Sequence, residues 1–314
     1  MFLKEIGLQR YANALKKMRD GSCMLIDGAT ATEMERRGVP QLKNAWNGGG
    51  ALSHPEVLKG IHSEYISLGA KLIISNTFAT CKHTLEDARQ CHNFQKLNSE
   101  GVRIAIEARS SSNTDDVLVA GGVSYWSFTG RDPSLSKLKE NITEQAYILA
   151  SSGADLIVLE MMKDIDRLSV TLDAAKHTKL PIWVGFSCEI SSKGKVTLLG
   201  GEPLEDAVNF LKGKDIDLLN IMHTDIDLVD ACLDVIEKEW TGLYGVYAHS
   251  GTMRNSNWAP DMDNTDWTFN DVISPEAYAK KVMEWVARGV NLVGGCCGIS
   301  TDHMRHLAKK IPFD

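Results

Sequence analysis

The sequence predicts an α/β chain that closes as one single-domain (β/α)8 TIM barrel over residues 1–314. Three features carry this expectation: eight short apolar runs rich in β-branched residues, longer helical patterns between them, and a glycine phrase that recurs just before a run. The runs fall at 24–26, 71–75, 117–121, 155–159, 181–186, 217–222, 243–248 and 291–295. Their nearly continuous apolar character suits strands covered on both faces, by the barrel interior and by helices. The phrases Leu68-Gly69-Ala70, Ser152-Gly153-Ala154 and Arg288-Gly289-Val290 place a glycine where a helix C-terminus needs positive φ before the next strand. An open doubly wound sheet would give the same local pattern, and the count of eight favours closure.

Composition narrows the function. Hydrophobic residues make up 43% and charged residues 24%, the balance of a globular enzyme. A net charge of -7 without a Lys/Arg cluster argues against a nucleic-acid partner, whose phosphates require clustered cations. Residues 1–21 have scattered charges and no cleavage-site pattern, and no run approaches the roughly 20 apolar residues of a membrane span. The expectation is a cytoplasmic protein with its seven cysteines reduced, small-molecule partners, and no nucleic acid or membrane. A homo-oligomer is left open.

Barrel active sites lie at the C-terminal ends of the strands, so the residues ending each run become the candidates. They are Asp27-Gly28, Asn76-Thr77-Phe78, Ser124, Glu160, Ser187-Cys188, His223, His249-Ser250 and Cys296-Cys297. The last pair lies within Gly294-Gly295-Cys296-Cys297-Gly298. Adjacent side chains on a strand point to opposite faces, so two neighbouring sulfurs share one metal only where the chain turns, and the glycines permit that turn. A helix with Ser300 or Thr301 as N-cap should follow, and its N-terminus favours thiolates. Alone, a Cys-Cys pair is more often two small buried residues. A catalytic zinc needs a third protein ligand, for which His223 is the first choice, His249 the rival and Cys188 a looser candidate.

Taken together, these landmarks resemble the homocysteine S-methyltransferase family, zinc-dependent barrels that methylate homocysteine to methionine. The resemblance runs from Leu25 to Ala308 through Asp27-Gly28-Ala29-Thr30-Ala31-Thr32-Glu33, Arg37-Gly38, Trp46, Ser75-Asn76-Thr77-Phe78, Glu160, Gly185-Phe186-Ser187, Tyr247, Ser250-Gly251 and the glycine-framed cysteines. It implies zinc thiolates at Cys296 and Cys297, catalytic-pocket carboxylates at Asp27 and Glu160, and substrate contacts from Gly28, Asn76 and Thr77, with the Trp46 aromatic near the reacting centre. Two departures matter. The family's Gly-Val-Asn-Cys is replaced by Leu219-Asn220-Ile221-Met222-His223, and its Pro-Asn after the tyrosine by Ala248-His249. Both bring a histidine to a strand end, which suggests two thiolates and one imidazole as the zinc set.

The reaction so implied moves a methyl group from a small sulfonium or quaternary ammonium donor to a thiol. Tyr125, Trp126, Phe78, Trp258 and Trp267 could meet a cationic donor through their π faces. Segment 251–274 reads as an active-site loop, serving as lid or oligomer contact. Because the chain ends soon after the eighth helix, cobalamin is not expected. Three alternatives stay open: a methyltransferase for another thiol or selenol, a paralogue that only binds ligand, and a barrel lyase or hydrolase with Glu160 as base.

Overall fold

The structure, a computed structural model, describes residues 2–254 and 268–311. The strands in chain order are β1 (Met24–Leu25), β2 (Leu72–Ile74), β3 (Leu118–Val123), β4 (Leu156–Met162) and β5 (Ile182–Phe186). A short antiparallel hairpin follows, β6 (Cys188–Ile190) and β7 (Val196–Leu198), and then β8 (Leu218–Asp225) and β9 (Leu243–His249). A second antiparallel hairpin, β10 (Thr252–Arg254) with β11 (Thr268–Asn270), precedes β12 (Leu292–Val293). Eight of these form one sheet in the order β1-β12-β9-β8-β5-β4-β3-β2, in parallel. The parallel bridge Ile26–Leu72 and the Asp27 N–H donated to the Leu72 carbonyl at 3.0 Å join its two edges, so the chain is a (β/α)8 barrel.

The period-two alternation of a strand divides the core in two. Leu25, Ile73, Val119, Ile157, Val184, Leu219, Val246 and Val293 face the helical ring, while Met24, Ile26, Leu72, Leu118, Leu156, Trp183, Leu218 and Leu292 fill the barrel. Gly69, Gly153 and Gly289 adopt φ of 102°, 102° and 100° at helix ends, the conformation their phrase anticipates. The two hairpins were not legible as strands, since each is only three residues per arm.

The sequence reading assigns no element to 1–21, yet a helix spans Phe2–Arg19. Its Tyr11, Ala14, Leu15 and Met18 recur at i, i+3, i+4 and i+7 and pack with the inner barrel residues, closing the floor. Tyr11 Oη accepts from Trp183 Nε1 at 2.9 Å and donates to Asp217 at 2.8 Å. Beside it, buried Asp155 accepts from Arg10 at 2.8 Å, from Arg109 at 2.7 Å and from the Val119 N–H at 2.9 Å. No helix among the described residues is long and apolar enough to cross a membrane. All seven cysteines are free thiols.

One fully buried histidine sets an acid limit. His62, on the helix Pro55–Ser67, has neither ring nitrogen hydrogen-bonded, and burial lowers its pKa from 6.5 to about 4. The unfolded chain therefore binds the extra proton first, and stability falls as pH drops from 6.5 toward 4. At 1.36 kcal/mol per unit, the full loss is roughly 3 kcal/mol. His62→Leu is expected to remove this component, shifting the midpoint of an acid-unfolding curve to lower pH; an unchanged midpoint would sink the assignment.

Candidate active site

The C-terminal ends of the strands surround a cavity of about 310 Å³, a size suited to a small metabolite. At the end of β12 the chain turns tightly. A Cβ on Gly298, which has φ of 81°, would collide with the Ser250 carbonyl, and one on Gly295 would collide with Ile299. The helix Thr301–Ala308 follows, with Ser300 as N-cap in a reciprocal capping pair with His303. The turn puts both Cys296 and Cys297 on the cavity wall despite their adjacency.

His223 joins them from β8. Cys296 Sγ lies 3.6 Å from His223 Nδ1 and 3.9 Å from Cys297 Sγ, and the three donor atoms all lie within 4.8 Å of one another. Zinc bonds of about 2.3 Å to sulfur and 2.0 Å to nitrogen in a tetrahedron imply edges of about 3.8 and 3.5 Å, so the donor set fits that ion. The histidine reaches this position because β8 shifts register against β9 between Met222 and Asp225, with His223 itself at φ 41°. Such bulges re-aim a side chain at the cost of local strain. The Cys297 thiol and the His223 ring draw the Cys296 pKa well below that of a free thiol, and Cys297 is raised in turn.

The rival candidates are placed elsewhere. His249 packs against His223 with ring centroids 4.6 Å apart and planes tilted by 42°, but it is outside the three-atom group. Burial and the neighbouring His223 lower its pKa to about 4, and its Nδ1 has no hydrogen-bond partner. Cys188 is buried, its thiol pairs with that of Cys232, and its N–H donates to Thr224 Oγ1 at 2.9 Å. It is not in the donor group either.

Asp27 and Glu160 line the same cavity. Asp27 Oδ2 accepts the Ile74 N–H at 2.7 Å, whereas Glu160 has no hydrogen bond contributing to its ionisation. Burial raises both carboxyls well above their usual range, and proximity to Cys296 adds to it. Burial thus favours the protonated form of both groups in the empty cavity, and a positive charge brought between them would favour ionisation. Glu160 also precedes a bulge, where β4 shifts register against β5 and Met161 takes φ 58°.

Of the remaining sequence candidates, Gly28, Trp46 and Asn76 reach the cavity wall. A Cβ at Gly28 would lie 2.8 Å from both the Ile299 carbonyl and Tyr65 Oη, so only glycine fits there. Asn76 Nδ2 donates to the Asn47 carbonyl at 2.9 Å. Thr77 is the exception and corrects the expectation. It is fully buried behind the wall, and its hydroxyl donates to the Gly122 carbonyl at 2.7 Å, at the point where the chain leaves β2 and enters the turn that begins at Phe78.

Among the aromatics, Phe78 and Trp126 line the cavity, with Lys163 Nζ 5.4 Å from the Trp126 ring. Tyr125 does not line it, since its Oη accepts the Lys163 N–H at 2.8 Å and donates to the Asp164 carbonyl at 3.2 Å. Trp258 and Trp267 lie outside the described residues. The sequence reading missed Phe128, Met161, Leu199, Met222 and Phe269. Phe269, on β11, packs against Trp46, His223 and His249 with centroids 6.2–6.4 Å apart. Its place inside segment 251–274 was the available signal.

The chain matches the family model described as homocysteine S-methyltransferase over residues 24–311. It is 26% identical to homocysteine S-methyltransferase 2 of Arabidopsis thaliana, covering 95% of this chain and 97% of that protein. It is also 26% identical to selenocysteine Se-methyltransferase of Brassica oleracea var. italica, covering 93% and 89%. The metallated form of the homocysteine methyltransferase MmuM from Escherichia coli superposes with a TM-score of 0.76 at 22% identity, covering 95% of this chain and 99% of that one. That superposition matches the barrel, and the family model extends over β1 through the helix that follows the paired thiols. The chain belongs to the homocysteine S-methyltransferase family.

Proposed function

We propose that this protein methylates homocysteine to methionine from a small cationic donor, with Zn2+ held by Cys296, Cys297 and His223. The observation that supports this reading is the pairing, in one cavity, of a sulfur–sulfur–nitrogen donor set with two buried carboxylates. When bound, the ion supplies a Lewis acid that keeps a ligated thiol ionised at neutral pH, where a free thiol with a pKa near 8.5 is mostly protonated.

The chain's own residues orient the substrates. Asp27 and Glu160 hold the homocysteine ammonium, which fixes the sulfur toward the donor set and removes much of the entropic barrier to in-line attack. The acceptor sulfur forms its new bond to the donor methyl carbon while the donor's carbon–sulfur or carbon–nitrogen bond breaks. The electron pair leaves on a neutral thioether or amine. Phe78, Trp126 and Phe128 line the cavity, and no Lys or Arg does so among the described residues, an environment suited to a donor cation.

The test is methionine formation, followed by mass spectrometry, from homocysteine with S-methylmethionine, S-adenosylmethionine, betaine or dimethylsulfoniopropionate. Turnover with one donor, lost on chelation and regained with zinc, is the expected result. Turnover indifferent to chelators would overturn the metal assignment, and inertness toward all four donors would favour a barrel that only binds ligand.

A further inference from the structure

The phenol of Tyr247 is a buried polar group that the reaction described above does not use. Tyr247, on β9, is 3% exposed and lines the cavity beside Asp27, Glu160 and Cys296. Its Oη has no hydrogen-bond partner. The hydroxyl lies over bare backbone, because a Cβ added to Gly185 on β5 would come within 2.9 Å of Oη and 2.8 Å of Met222 Cγ. The glycine makes room for the oxygen, which lies buried at the cavity wall, and an unmatched buried hydroxyl carries a desolvation penalty that an incoming ligand can relieve.

Resting on the homocysteine reading, we infer that Tyr247 Oη is the third acceptor of an ammonium subsite completed by Asp27 and Glu160. A primary ammonium has three N–H groups, and the two carboxylates supply partners for two of them. The phenol oxygen accepts the third. A phenol in this role selects a primary α-amine, since an N-alkylated acceptor has fewer N–H groups to share and a desamino acceptor has none. Tyr247 is thereby a specificity-determining residue for the amino end of the acceptor, separate from the groups that hold its sulfur.

The experiment compares zinc-loaded wild-type protein with Tyr247→Phe, which removes one oxygen and keeps the ring. Calorimetric binding is measured for L-homocysteine and for 4-mercaptobutyrate, the same thiol acid without its amine, together with zinc content and the melting temperature of the metal-free protein. The expected result is homocysteine affinity weakened roughly 10- to 100-fold, the range for a hydrogen bond to a charged group. Affinity for 4-mercaptobutyrate and zinc content stay unchanged, and the ligand-free variant melts no lower than wild type, because the deleted oxygen had no partner. Equal weakening of both ligands, or of neither, overturns the assignment of Tyr247 and leaves the homocysteine reading standing. Wild-type protein that binds homocysteine no better than 4-mercaptobutyrate overturns both.

Discussion

Cys296→Ser and His223→Ala are each expected to release zinc and abolish methyl transfer. Fully ligated protein zinc is bound by roughly 10–16 kcal/mol, so losing one of three protein donors forfeits about a third of that, a fall in affinity of roughly 10²- to 10⁴-fold. The measurement is zinc per chain after dialysis against a chelating buffer. His223→Cys is the informative partner: it keeps three donors and should retain the metal. With three thiolates and a substrate thiolate the formal charge of the zinc site is -2, against -1 with the imidazole, so the Cys variant should also change acceptor reactivity. Full zinc in His223→Ala would move the assignment to His249, whose ring already lies against His223 with a centroid separation of 4.6 Å.

Glu160→Gln should raise the KM for homocysteine by about two orders of magnitude while leaving zinc content intact. Removing one charge of a buried, desolvated pair costs roughly 2–5 kcal/mol, much of it from the partner left unmatched. The effect should fall on acceptor binding, because Glu160 is not among the metal-donor atoms. Steady-state kinetics with acceptor and donor varied in turn decide the matter. A rise confined to the donor's KM would assign this carboxylate to the other substrate.

The barrel was readable because each strand is an apolar run whose two faces are both buried, a pattern short enough to exclude helices and repeated often enough to imply closure. The site was readable in part for the same reason: once strand ends are located, Asp27, Glu160, His223 and the two terminal-strand cysteines follow. Residue order does not encode the bulges that aim His223 and support Glu160, since Met161 and His223 are not glycines, which would mark positive φ. Thr77 shows the opposite limit. It belongs to a family landmark and its neighbours Asn76 and Phe78 line the cavity, yet the turn that follows β2 sends its side chain into the protein. Phe269 was hidden because its strand is three residues long and, among the described residues, pairs with the other arm of its hairpin alone.

The Asp155 clamp bears on how this protein can be handled. The family model begins at residue 24, so the opening helix lies outside the matched region and invites treatment as a dispensable leader. Arg10 on that helix supplies one of the two guanidinium groups on a carboxylate that is 3% exposed. A truncation that trims the chain to its family boundary would leave this buried anion with Arg109 as its one guanidinium and uncork the end of the barrel remote from the chemistry, so expression vectors should keep the first twenty or so residues and place affinity tags ahead of them.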